Sequence, residues 1–119
     1  MEDTMTGNHT IRSPEPLNLI IDTIVREVQP EQVILFGSRA QGTASTESDY
    51  DLLVIVRDVQ NERLISRRIY RALLESKIVA AVDVVVANTE TIKRHESNPF
   101  YIYRQALQEG KIFYDQQAG

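Results

Sequence analysis

Three aspartates and a Gly-Ser pair are the residues of this 119-residue chain whose types and spacing suit them to chemistry. Gly37 and Ser38 close an apolar run at 32–36, and after ten intervening residues Asp49 and Asp51 open another at 52–56. Side chains at i and i+2 of a strand share a face, so Asp49 and Asp51 project together, about 6–7 Å apart along the backbone, with Tyr50 turned the other way. Two carboxylates so placed repel, and each is driven toward protonation unless a cation sits between them. Asp83 stands inside "IVAAVDVVVA" at 78–87, where nine of ten residues are apolar. A lone buried carboxylate there would cost several kcal/mol, so it needs a partner: an arginine, or further carboxylates around a divalent metal. At the other end of the pattern, a glycine after a strand lets a phosphate approach the backbone, and Ser38 offers both its N–H and its hydroxyl. Taken singly, "ESDYD" also reads as a solvated turn and "GSRAQG" as an ordinary one. The combination is far more specific than its parts.

These residues need elements to hold them. Leu17, Ile20, Ile21, Ile24, Val25 and Val28 recur at helical spacing ahead of Pro30, which predicts a helix over 14–29. The runs at 32–36 and 52–56 are short, branched and apolar, as buried strands are. A polar segment at 58–62 leads into a second helix in which Ile65, Ile69, Ala72, Leu73 and Ser76 share a face, while Arg67, Arg68 and Arg71 turn toward solvent. The run 78–87 reads as a third, central strand. Asn98 and Pro99 suit an N-cap and first helical position, with the helix running to about Glu109 and a left-handed stop at Gly110. "KIFYD" then forms a short edge strand. The expected fold is α/β (α+β), a small mixed sheet of three to four strands flanked by helices, with residues 1–13 as a flexible polar tail.

Composition narrows the classes. The length is one domain's worth, 14–119, too short for a core plus a separate substrate lobe, so a second lobe is expected from another chain. Hydrophobic residues make up 42% and charged ones 25%, as in ordinary globular proteins, and Lys+Arg 13 against Asp+Glu 17 leave a net charge of −4. A mildly acidic domain is poorly suited to sequence-independent nucleic-acid binding, which runs on counterion release. With no cysteine, thiolate metal sites, disulfides and cysteine nucleophiles are excluded. The first residues lack a signal-peptide core and no apolar run approaches the ~20 residues of a membrane span, so a cytoplasmic protein is expected. His9 and His95 have no ligand-like spacing and are given no role.

Several enzyme classes use an Asp-x-Asp pair, and strand order separates them. In haloacid-dehalogenase-type phosphatases and metal-dependent glycosyltransferases the apolar strand precedes the pair, whereas in "DYDLLVIV" the strand follows it, and those two readings drop away. Gly37-Ser38, Asp49-x-Asp51 and the later Asp83 together resemble the signature of the DNA polymerase beta-type nucleotidyltransferase superfamily. The small size and the closing "ALQEGKIFYD" are similar to its minimal nucleotidyltransferase (MNT) branch, and the resemblance spans roughly residues 20–115.

That resemblance implies a nucleotidyltransferase fold and a catalytic set of Asp49, Asp51 and Asp83 binding two Mg²⁺ ions, which align the attacking and leaving oxygens. It implies ATP as donor, with Gly37, Ser38 and Arg39 toward its phosphates, although Arg39 reads equally well as a structural arginine. Many MNT proteins carry arginine where this chain has Gln41; losing one charge-assisted bond is worth about 1.5–3 kcal/mol, while the acidic triad is intact. The branch further implies an antitoxin paired with a HEPN-domain ribonuclease toxin in a hetero-oligomer, transferring AMP to a hydroxyl, a tyrosine's, on that partner. No direct contact with nucleic acid or membrane is implied. Two alternatives stay open: an antitoxin that neutralises by contact alone, and a transferase for a small molecule.

Overall fold

The computed structural model describes residues 16–42, 49–59, 61–78, 80–95 and 102–117. Among the described residues nine elements follow one another: α1 (Leu17–Val28), β1 (Gln32–Phe36), α2 (Ser38–Gln41), β2 (Tyr50–Val56), α3 (Glu62–Glu75), β3 (Val82–Asn88), α4 (Thr89–His95), α5 (Ile102–Glu109) and β4 (Lys111–Asp115). The expected tail at 1–13, the first residues of the helix expected from 14 and the Asn98-Pro99 helix start lie outside the described residues. Neither the short α2 nor α4 was expected: the first looked like a turn, and the second carries no apolar periodicity long enough to read.

The strands form one mixed sheet in the order β3-β2-β1-β4. β1 pairs antiparallel with both β2 and β4, while β2 and β3 run parallel. The most apolar run is therefore not central, as expected, but supplies an edge strand that begins only at Val82. Apolar content reported the depth of packing on one face and said nothing of the place in the sheet.

Alternation along the strands divides the core in two. On one face Val33, Leu35, Leu52, Val54, Val56, Val84 and Val86 meet α1 and α3. On the other, Ile34, Phe36, Leu53, Ile55 and Ala87 meet Ile92 of α4 and Ala106 of α5. α1 buries Leu17, Ile20, Ile21 and Ile24, each worth about 1.5–3 kcal/mol of burial, and ends where Gln29 turns left-handed ahead of buried Pro30. α3 starts on Asn61, whose side chain accepts the Leu64 N–H, and buries Ile69 and Leu73. Its basic side is not wholly idle: Arg68 donates to the Glu27 carbonyl at 2.7 Å and pairs with the Glu27 carboxylate, tying α3 to α1.

The end of β3 is clamped. The Asn88 side chain exchanges hydrogen bonds with the backbone of Val59, the Asn88 N–H donates to Glu62 at 2.8 Å, and further back the Val84 N–H donates to the Tyr70 hydroxyl at 2.8 Å. Gly110 turns α5 into β4, but without the left-handed φ expected of it. A Cβ there would lie 2.4 Å from the Ala106 carbonyl oxygen and 2.5 Å from the Ile34 side chain. Close packing on β1, rather than backbone conformation, is what excludes a side chain.

Candidate active site

β2 and β3 bring two of the three aspartates side by side. Their parallel register sets Asp51 opposite Asp83, and on its other flank Asp51 faces Phe36, the last residue of β1. Neighbouring strands lie about 4.8 Å apart, so the paired aspartates project from the same level of the same face. Beyond them on that face come Leu53 and Ile55 of β2 and Val85 and Ala87 of β3, which run under α4 and α5. The carboxylates thus occupy the uncovered end of an otherwise buried face. Asp49 immediately precedes β2 and is exposed.

Asp83 is also exposed, which corrects the expectation of a buried carboxylate in need of a partner. The apolar run around it is split: 78–81 precede the strand, and Val84 and Val86 turn to the opposite face. At the open start of an edge strand its charge is solvated, so the desolvation argument that singled it out does not apply. Its register with Asp51 is what gives it significance.

Gly37 is held against the same place. Its φ of 76 and ψ of −160 form the turn from β1 into α2, and a Cβ on it would come within 2.3 Å of the Asp51 Oδ2. Two constraints therefore demand glycine here: a backbone conformation that L side chains rarely adopt, and direct contact with a carboxylate. Ser38 follows as the first residue of α2, and Arg39 places its guanidinium carbon 4.0 Å from the centre of the Tyr50 ring. Tyr50 lies between Asp49 and Asp51 in sequence but packs toward the α1/α3 face. The cation–π contact joins the Gly-Ser turn to the strand that bears the aspartates.

Electrostatics agrees with this crowding. Burial, then the negative charge of Asp83, then that of Asp49 push the Asp51 carboxyl above its ordinary value near 3.8. As they stand, no three acidic or imidazole groups among the described residues converge closely enough to hold a metal ion between them. The repulsion at Asp51 is nevertheless the kind that a divalent cation relieves, and all-oxygen donors suit Mg²⁺. The chemistry of the set fits such an ion.

Two features escaped the sequence. Gln41, noted only as the place of a missing arginine, donates from Nε2 to the Glu109 carbonyl at 3.4 Å, bridging α2 and the end of α5. Tyr70, on the arginine-rich helix, holds the backbone next to Asp83 through Val84. Neither contact leaves a signal in local spacing, since each joins two different elements, 68 residues apart for Gln41 and Glu109 and 14 for Tyr70 and Val84.

The comparison with known proteins now has a geometry to meet. The sequence matches the family described as Polymerase beta, Nucleotidyltransferase over residues 18–118. The chain belongs to that family. Among solved structures it is similar to a candidate nucleotidyltransferase from Sulfolobus solfataricus, with 21% identity, a TM-score of 0.60 and coverage of 87% of this chain and 80% of the other. A toxin–antitoxin structure with AMP-PNP aligns at 23% identity and TM-score 0.59, covering 86% and 75% of the two chains. A mutant of the toxin–antitoxin MntA-HpeT aligns at 21% and 0.57, covering 84% and 73%. At such identities the likeness is one of fold. No protein of curated function matches the chain at a significant level. The four-stranded mixed sheet flanked by helices is the nucleotidyltransferase fold that the family resemblance implied.

Proposed function

We propose that this member of the polymerase beta nucleotidyltransferase family is the antitoxin of a HEPN/MNT pair, transferring AMP from ATP to a tyrosine hydroxyl of its HEPN ribonuclease toxin and releasing pyrophosphate. The observation that supports the reading is that Asp51 stands in register with Asp83 and against Gly37, which brings two of the three acidic residues to the Gly-Ser turn. Fold neighbours described as toxin–antitoxin structures, one with AMP-PNP, support the partner and the nucleotide.

In this reading Asp49, Asp51 and Asp83 would hold two Mg²⁺ ions, which would supply charge neutralisation at the triphosphate and polarisation of the acceptor hydroxyl. The chain's own residues do the rest. Gly37 keeps the turn low enough for phosphate oxygens to reach backbone N–H groups, and Ser38 adds a hydroxyl donor. Arg39, steadied on Tyr50, offsets charge on the outer phosphates. The acceptor oxygen bonds to the α-phosphorus as the bond from that phosphorus to the β-phosphate bridging oxygen breaks. This chain provides the donor side, and the toxin presents the acceptor.

Asp49→Asn with Asp51→Asn should abolish label transfer from α-labelled ATP to the co-purified toxin in Mg²⁺ while leaving the far-UV circular dichroism unchanged. If that double variant still neutralises the toxin fully in cells, neutralisation proceeds by contact alone and the enzymatic account fails.

A further inference from the structure

The arginine-rich helix has a second use. Between Glu62 and Glu75, α3 carries Arg63, Arg67, Arg68 and Arg71 and no carboxylate, in a chain whose net charge is −4. Arg68 is committed to Glu27, but Arg63, Arg67 and Arg71 are exposed and fall at i, i+4 and i+8, a line of about 12 Å along the helix. Beside that line lies an apolar groove of about 160 Å³ lined by Tyr70, Leu73, Leu74, Ile78, Ala80 and Val82. Leu74 is 79% exposed and Tyr70 41% exposed, so the groove wall itself is apolar and open. A cavity near 150 Å³ accommodates a benzene ring, so this groove has room for one large apolar side chain.

We propose that this surface, on the sheet face opposite the aspartates, docks a helix of the toxin that projects one leucine or aromatic side chain between carboxylates. The inference rests on the antitoxin reading for the existence of the partner, and the groove and its charge choose the chemistry. Carboxylates one helical turn apart match the arginine spacing, and a central apolar anchor ringed by charge is how small interfaces concentrate their affinity. A duplex would meet the arginines with its backbone but keeps its bases stacked away from the groove, and the net charge of −4 disfavours a single strand. A second copy of this chain brings surplus negative charge but no arginine-free apolar helix among the described residues. Docking on this face keeps the aspartate end open for nucleotide while the toxin's acceptor segment reaches it around the edge of the sheet.

The test measures binding of the purified toxin to wild-type chain, to Leu74→Glu and to Arg67→Glu/Arg71→Glu by calorimetry, with circular dichroism on each. All three changed positions are exposed, so the variants are expected to fold. Each variant should weaken binding at least about tenfold relative to the wild type. Unchanged affinity in both surface variants overturns the docking surface while leaving the antitoxin reading in place. Failure of the wild type to bind the toxin overturns both. Two other results also count against it: a wild-type dimer in analytical ultracentrifugation that Leu74→Glu dissolves, and capture of a single-stranded RNA probe lost with the arginines while toxin affinity stays the same.

Discussion

At Gly37 one missing side chain serves two ends, because the positive φ of the turn and the closeness of the Asp51 carboxylate each forbid a Cβ. Gly37→Ala should lower the urea midpoint by an amount equivalent to about 1–3 kcal/mol from the backbone alone. The displaced carboxylate should cost nucleotide transfer out of proportion to that loss, as an activity assay at a temperature where the variant is folded would show. Asp51 makes a different prediction. Its carboxyl is raised by burial, by Asp83 and by Asp49, so the folded protein keeps a proton that the unfolded chain, with the ordinary value near 3.8, has already lost. Stability contributed by that proton is therefore full at acid pH and declines as pH climbs through the raised value. Asp51→Asn removes the penalty: its melting temperature should exceed the wild type's at neutral pH in EDTA, and the gap should close toward pH 3.8. A variant that melts below the wild type at pH 7 would mean that Asp51 is held by favourable contacts instead of strained by its neighbours.

Elements were legible in the sequence to the degree that their signals were local. β1 occupies the apolar run that preceded Gly37, α1 buries most of the stripe its periodicity marked, and α3 buries Ile69 and Leu73 of its stripe, with Ile65 and Ala72 half-buried and Ser76 exposed. β2 reaches back to Tyr50 because its backbone N–H finds the Ala81 carbonyl across the sheet, a partner that no nearby residue announces. The aspartates and the Gly-Ser turn could be picked out from spacing and residue type, and strand order sets Asp51 beside Asp83 with Gly37 against it. The exposure of Asp83 could not be read, since an apolar neighbourhood in sequence became two faces and an open edge in space. The cap on α3 was equally unread but is now a measurable quantity: Asn61→Ala removes the acceptor for the Leu64 N–H and should cost about 1 kcal/mol in chemical denaturation, with activity per folded molecule preserved.

For the molecule as a whole, two cores on opposite faces of one sheet support a site at the end where neither covers the strands. Charge crowding there should make stability sensitive to divalent cations. Adding Mg²⁺ should raise the melting temperature of the wild type, with a stabilisation of about 2.7 kcal/mol once the ion reaches a hundred times its dissociation constant. Asp49→Asn/Asp51→Asn should show no such rise. An equal shift in both proteins would place the cation elsewhere on the chain.

β3 closes one side of an open sheet, and such margins ordinarily invite further strands. Because Ala81 turns its carbonyl toward β2, alternation aims the N–H groups of the even-numbered residues of β3 away from the sheet. Those of Val84 and Asn88 are already taken, by the Tyr70 hydroxyl and the Glu62 carboxylate. A main-chain ladder has no foothold at either position, so amyloid-like stacking and donated-strand pairing are discouraged along this border. At those two positions recognition of this side falls to side chains, where single substitutions can retune the choice of partner without disturbing the sheet.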